Sequence, residues 1–383
     1  MSRTMRAIRK LAAGPGLTLV QDAPVPEPGP HDVLIQVEAA SVCGTDLHIY
    51  RWDEWSQHRI KPPLTLGHEF AGTVVQMGEA VENVRVGDFV SAESHITCGM
   101  CFQCRTGQAH MCPQTKILGV DRDGAFAEFV SVPSKVIWRN DRSKIPPEIA
   151  TLQEPFGNAV FATLAHELPG QSVAVFGCGP IGLFSTAIAR ASGAARIFAS
   201  DINPYRLQLA KKMGATFLYN PKSESASVEE WFLEHNEGSG VDIALEMSGS
   251  PEGIAGAFKV VRNGGRVTLF GIPARAVELD VAENIIFKNL TVLGLNGRKI
   301  FETWFRTRWL LETGVVDLHP LITLETTFDE FEEAFHRLDS GKACKIILKP
   351  RPEPIELPKP TAEEAEMNRA LDELNIRGKI MHR

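Results

Sequence analysis

Val173-Ala174-Val175-Phe176-Gly177-Cys178-Gly179-Pro180-Ile181-Gly182 reads as an apolar strand running into a glycine turn, and a helix-like run continues it to Ala191. Glycines there let backbone N–H groups approach a pyrophosphate, and a helix N-terminus favours its charge. A lone G-x-G-x-x-G is weak. Here a second strand follows over 196–200 and ends at Asp201, 19 residues past the last glycine. Strand, glycine turn, helix, strand, acid is the dinucleotide fingerprint with its context intact. Gly177, Gly179, Pro180, Ile181 and Gly182 are therefore expected against the pyrophosphate. Asp201 is expected on the adenosine ribose hydroxyls, where it repels a 2′-phosphate and favours NAD over NADP. Arg206, five residues on, complicates this, since it can face a phosphate or stack on adenine.

Outward from that turn the alternation continues: a strand over 241–246, a helix over 251–261 and a strand over 266–271. This predicts a doubly wound α/β domain over 153–296. Loops after its strands, Met247-Ser248-Gly249 and Gly271-Ile272-Pro273, lie where a bound dinucleotide passes.

The chain has 383 residues, more than one hydrophobic core usually serves, so two domains are expected. A net charge of −7 argues against a nucleic-acid or polybasic membrane binder. No apolar run approaches the roughly 20 residues that span a bilayer, and residues 1–6 lack the apolar core of a signal peptide. A cytoplasmic protein is expected. Seven cysteines, four of them clustered at metal spacing, favour reduced thiols and metal over disulfides.

Residues 1–152 carry short strand-like runs over 32–40, 70–77, 88–92, 126–132 and 135–138, punctuated by glycines, and predict a β-rich domain. It opens its most informative stretch at Cys43-Gly44-Thr45-Asp46-Leu47-His48 and closes it at Gly67-His68-Glu69. Thiolate, imidazole and carboxylate are the ligand types of a catalytic zinc with an open position. Cys98-x2-Cys101-x2-Cys104-x7-Cys112 can close a tetrahedral Zn–S4 site; the common iron–sulfur run has a tighter last gap.

Gly67-His68-Glu69-Phe70-Ala71-Gly72 continues to Gly78 and Val81 as G-H-E-x2-G-x5-G-x2-V. With Cys43 lying 25 positions before His68, this resembles the signature of zinc-containing medium-chain alcohol dehydrogenases. The resemblance implies a GroES-like catalytic domain beside the Rossmann domain. It implies Cys43 and His68 as zinc ligands, Glu69 close enough to bind or exchange, and Glu154 as a further acidic ligand. Glu69 can instead orient a neighbour, and Glu154 can be a helix-start carboxylate. The four-cysteine lobe, over 94–115, becomes a structural zinc site, giving two zinc ions per chain. Thr45 and His48 match a proton relay, against the blander reading of a backbone-bonded Thr and a surface His. His95 matches a position near substrate.

More narrowly, the run from Cys43 through Trp52-Asp53-Glu54-Trp55-Ser56-Gln57, Glu154-Pro155-Phe156-Gly157-Asn158 and Gly297-Arg298 resembles the threonine-oxidising branch of that family. That implies L-threonine as the small-molecule substrate, NAD as hydride acceptor, 2-amino-3-oxobutanoate as product, and a homotetramer. An NAD-dependent polyol or secondary-alcohol dehydrogenase, of butanediol or sorbitol type, is the rival. A zinc- and nucleotide-binding protein without turnover is the rival from another class. Arg298 reads as a holder of a substrate carboxylate or cofactor phosphate, or equally as a helix-start salt bridge.

Residues 297–350 return to the catalytic domain, with a helix to about Thr313, another over 329–338, and a last strand over 345–348. Residues 351–383 are a proline-rich linker and a helical tail. In the tail a capping box at Thr361-Ala362-Glu363-Glu364 precedes a face of Met367, Ala370, Leu371 and Leu374, read as a subunit contact.

Overall fold

The computed structural model describes residues 3–351, so the expected tail helix lies outside the described residues. Six parallel strands form one sheet in the spatial order Phe217–Tyr219, Arg196–Ser200, Ser172–Phe176, Val241–Glu246, Val261–Leu269, Thr291–Gly294. Numbered by sequence within the sheet this is 3-2-1-4-5-6, the doubly wound order that opens a crevice where the order reverses. Ser172–Phe176 is buried along its whole length, which explains its uninterrupted apolar run. At its end the chain needs glycine twice. Gly177 has φ 90°, and a Cβ on Gly182 would sit 1.9 Å from the Gly177 carbonyl oxygen. Helix Pro180–Ala191 can approach the strand only without that side chain.

The second large sheet runs Ile137–Arg139, Phe89–Ala92, Glu69–Met77, Asp32–Ser41, Lys345–Lys349, Ile322–Thr327, and Phe129–Pro133 also pairs with Asp32–Ser41. The last strand before the tail thus returns to the first half of the chain, as expected for 345–348. Strands Thr4–Lys10, Thr18–Pro24 and Leu64–Thr65 add a three-stranded sheet. Helix Gln153–Thr163 is almost wholly buried, and one apolar core runs from Ala39, Ala71 and Phe89 through Phe156 to Val173 and Leu183. The two sheets are therefore held by a shared core rather than by a loose hinge. Among the described residues, no helix is long and apolar enough to cross a membrane.

Three details differ from the sequence expectations. The run 135–138 is only half a strand: the Ser134 N–H donates to the His31 carbonyl, and Ser134–Val136 makes a tight turn before Ile137–Arg139 pairs. The strand expected from 266 begins at Val261, with a register irregularity between Val241 and Ile243 on its neighbour. Two short helices, Gly44–Arg51 and Glu54–Arg59, follow Cys43 where none was anticipated.

Candidate active site

Antiparallel pairing closes the sequence gap between Cys43 and His68. Strand Asp32–Ser41 pairs with Glu69–Met77 so that Ser41 faces Glu69 and Ala40 faces Phe70. Cys43, two residues past Ser41, is thereby set beside His68. Gly67 makes the bend before His68 at φ 91°, where a Cβ would meet Phe126 at 2.4 Å. Ligand atoms of Cys43, His68 and Glu69 lie within 4.8 Å of one another.

Three buried polar atoms around this cluster have no hydrogen-bond partner: Asp46 Oδ1, His68 Nδ1 and Glu69 Oε1. Orphaned buried polar atoms are costly; Asp46 Oδ1 and His68 Nδ1 at least face each other, whereas Glu69 Oε1 is left for another group. Burial opposes charge on His68, yet Asp46 and Cys43 outweigh it and raise its pKa well above the ordinary value. The pocket favours positive charge, and its donor set of sulfur, nitrogen and oxygen fits zinc. Supporting contacts hold the donors in place. Glu69 Oε2 accepts from Ser41 Oγ and Lys345 Nζ, and Lys345 Nζ also donates to the Val42 carbonyl at 3.0 Å. Asp46 Oδ2 accepts from the Cys43 N–H at 2.9 Å, and Asp46 Oδ1 lies 3.8 Å from His68 Nδ1. At that distance Asp46 acts on His68 through its charge rather than through a hydrogen bond. Asp46 and Lys345 were missed in the sequence; the i, i+3 capping box of Cys43 and Asp46 was the available signal.

Glu154 stands apart from the cluster. Its Oε1 accepts from Ser94 Oγ at 2.5 Å and from Arg298 at 2.6 Å, and it groups with Glu93 and His95. Arg298 fills the centre of that second group. It is 2% exposed, donates to both oxygens of Glu93, with Nε to Oε2 at 2.7 Å, and reaches Asn158 Oδ1 at 3.2 Å. Neither a substrate-facing guanidinium nor a helix-start salt bridge describes it. Burial pushes the Glu93 carboxyl up, but Arg298 and His95 outweigh this and hold it well below the usual carboxylate range. His95 Nδ1 lies 3.0 Å from Glu93 Oε1, and the Trp304 indole N–H donates to Glu93 Oε2 at 2.8 Å.

Thr45 Oγ1 is 3.9 Å from Cys43 Sγ, and His48, three residues on along the same helix, is exposed. Thr45 and His48 therefore lead from the cluster toward solvent on one helix face.

The four-cysteine lobe is a second candidate metal centre. Cys98, Cys101, Cys104 and Cys112 bring their sulfurs within 4.8 Å of one another, with Cys98 3.6 Å from Cys112 and 4.0 Å from Cys104. Tetrahedral Zn–S bonds of about 2.3 Å require sulfurs about 3.8 Å apart. Backbone N–H groups of Met100 and Cys101 point at Cys98 Sγ at 3.4 and 3.3 Å and hold its thiol below the ordinary range. Cys101→Ser is expected to lose about one zinc per chain and to lower the melting temperature. Metal analysis and a melting curve check this; two retained zinc ions with unchanged melting would contradict it.

A cavity of about 740 Å³ opens at the crevice of the parallel sheet, lined by Gly177, Gly179, Asp201, Arg206 and Met247 among others. Asp201 accepts from the N–H groups of Cys178 and Asn203, both at 2.7 Å, which fixes its carboxylate at the cavity wall. Gly182 lies beneath the turn. Pro180, Ile181, Gly271 and Ile272 are not among its lining residues; Gly271 packs against Gly249, and Ile272 is 85% exposed.

Comparison with known proteins agrees with this geometry. Residues 29–142 match the family model of the alcohol dehydrogenase GroES-like domain, and residues 180–312 match that of the zinc-binding dehydrogenase. The chain is 49% identical to the L-threonine 3-dehydrogenase of Symbiobacterium thermophilum over 91% of its own length and 99% of that protein's. It is 49% identical to the enzyme of the same name from Pyrococcus horikoshii over 91% and 99%. Among solved structures, a putative zinc-binding dehydrogenase from Sinorhizobium meliloti bound to NADP matches with TM-score 0.83 and 30% identity, covering 91% of this chain and 100% of that one. The 2R,3R-butanediol dehydrogenase of Bacillus subtilis matches with TM-score 0.81 and 30% identity over the same shares. Both halves of the fold and the metal-binding cluster thus point one way: the chain belongs to the zinc-containing medium-chain alcohol dehydrogenase family.

Proposed function

We propose that this chain oxidises L-threonine at its side-chain hydroxyl to 2-amino-3-oxobutanoate, with NAD taking the hydride and two zinc ions bound per chain. The observation that carries this is 49% identity to L-threonine 3-dehydrogenases over 99% of their length. When bound, zinc supplies a Lewis acid that lowers the pKa of the substrate hydroxyl, and NAD supplies the hydride acceptor. Cys43, His68 and Glu69 would hold the metal, and Glu154, the further acidic candidate, is held by Arg298 and Ser94 in the neighbouring group. Thr45 takes the hydroxyl proton and His48 passes it to solvent. Cys98, Cys101, Cys104 and Cys112 hold a loop through the second zinc. The resemblance supports a homotetramer, and the sequence pattern supports a cytoplasmic setting and domains at 1–152, 153–296 and 297–350.

Arg298 pairs with both Glu93 and Glu154, with His95 beside them. Glu154, held by Ser94 and Arg298, is the acid available to an α-ammonium group, which butanediol and sorbitol lack. The test is a substrate panel with NAD: kcat/KM for L-threonine should exceed those for butanediol and sorbitol by at least about tenfold, or about 1.4 kcal/mol. Equal or better turnover of either diol or polyol would overturn the assignment. For the cofactor, Asp201→Ala should lower the NAD-to-NADP ratio of kcat/KM by about tenfold, since a carboxylate acceptor and a phosphate repeller are lost together. An unchanged ratio would place the preference elsewhere.

A further inference from the structure

The segment Trp52-Asp53-Glu54-Trp55-Ser56-Gln57 narrows the family resemblance, yet none of its residues enters the chemistry above. Its geometry is unusual. Trp52 ends helix Gly44–Arg51 in the left-handed region, φ 59° and ψ 46°, where a bulky side chain is an outlier. Three contacts hold it there: its N–H donates to the His48 carbonyl at 3.0 Å, Gln57 Nε2 donates to its carbonyl at 3.0 Å, and Lys10 Nζ lies 5.0 Å from its ring centroid. Strain of this kind persists where the surroundings enforce it, and it often serves a site.

The left-handed turn brings Asp53 back beside His48. The two carboxylate oxygens of Asp53 then do different things. Oδ1 accepts the Ser56 N–H and hydroxyl, both at 3.0 Å, and caps helix Glu54–Arg59. Oδ2 accepts from His48 Nδ1. Asn or Ser would cap the helix as well, so the cap alone does not call for a carboxylate. An ionised carboxylate only accepts hydrogen bonds, so a neutral His48 that donates to it from Nδ1 keeps its lone pair on Nε2. The Trp55 ring lies edge-on to His48, with centroids 6.2 Å apart.

We infer that Asp53 is a positioning residue for proton removal, completing a Thr45–His48–Asp53 relay. The inference rests on the alcohol oxidation proposed above. The proton of the substrate O–H bond would pass by way of Thr45 Oγ1 to His48 Nε2, while the carbinol C–H bond would break to give the hydride that a bound nicotinamide accepts. Asp53 stays ionised throughout; it fixes the tautomer and faces the imidazolium that forms.

A double-mutant cycle tests this in the full chain, with Asp53→Asn, Asp53→Ser, His48→Gln and the double variants. Both Asp53 replacements keep a cap, so zinc content and melting temperature should hold. First-turnover NADH formation with L-threonine and NAD should fall about 10- to 100-fold in each single Asp53 variant, within the range of general-base effects. KM for threonine and NADH affinity should change less than about twofold. In the His48→Gln background, replacing Asp53 should cost less than about a further twofold, because its effect runs through the imidazole. An equal fold-loss in both backgrounds, or an unchanged first turnover in Asp53→Asn, would overturn the inference. Full turnover in His48→Gln would overturn the relay itself, and the role of Asp53 with it. Failure of the broader reading looks different: the native enzyme would then make no NADH from threonine.

Discussion

Cys43→Ser is expected to leave a folded chain that oxidises L-threonine at least about 10³-fold more slowly, a loss of about 4 kcal/mol in transition-state stabilisation. The fold should survive, because serine is close to cysteine in size and Cys43 is only half-buried at a helix start. The metal should not. Serine offers a harder, mostly protonated oxygen in place of a thiolate, and the remaining donors, His68 and Glu69, are too few to hold zinc tightly. Zinc content should fall from two per chain to one. Turnover within tenfold of the native rate, or two retained zinc ions, would remove Cys43 from the site.

Arg298→Met should give the largest stability loss of any single replacement near the site. The guanidinium is 2% exposed and neutralises Glu93, itself fully buried, while also holding Glu154. Removing one partner of a buried ion pair costs about 3–5 kcal/mol, because the remaining charge is left without compensation. Methionine matches the arginine stem in bulk, so a cavity is not the cause. Thermal unfolding should begin roughly 5–10 °C lower, at the scale expected for such a loss in a chain of this size. Turnover should fall as well, since Glu154 and His95 lose the group that orients them. A melting temperature within a degree of native would show that the carboxylates find other partners.

Much of this was legible from short-range pattern. The turn from Phe176 to Gly182 announces itself because strand, glycines and helix are contiguous, and the physical demand on Gly182 is local. Cys43, His68 and Glu69 were readable because their side chains are ligand types at a telling spacing. What escaped depends on long-range burial. Lys345 reaches Glu69 across 276 positions and Arg298 reaches Glu93 across 205. Nothing in the neighbours of a lone Arg or Lys tells that it will be wholly buried against a carboxylate. Glu154 illustrates the cost: its residue type is that of a ligand, but its resting partner is set by Arg298, not by sequence spacing. The two short helices after Cys43 escaped for another reason. At eight and six residues they are too short to show an amphipathic period, and only the Cys43–Asp46 capping box of the first and the Asp53 cap of the second signal them.

Cys43 and His68 are expected to hold a metal ion between them. Anomalous scattering at the zinc absorption edge, from crystals of the full chain grown with zinc, tests it most directly. Two peaks per chain are predicted, one among Cys98, Cys101, Cys104 and Cys112, and one between Cys43 Sγ and His68. A peak in the four-cysteine lobe alone, with none beside Cys43, would contradict the account.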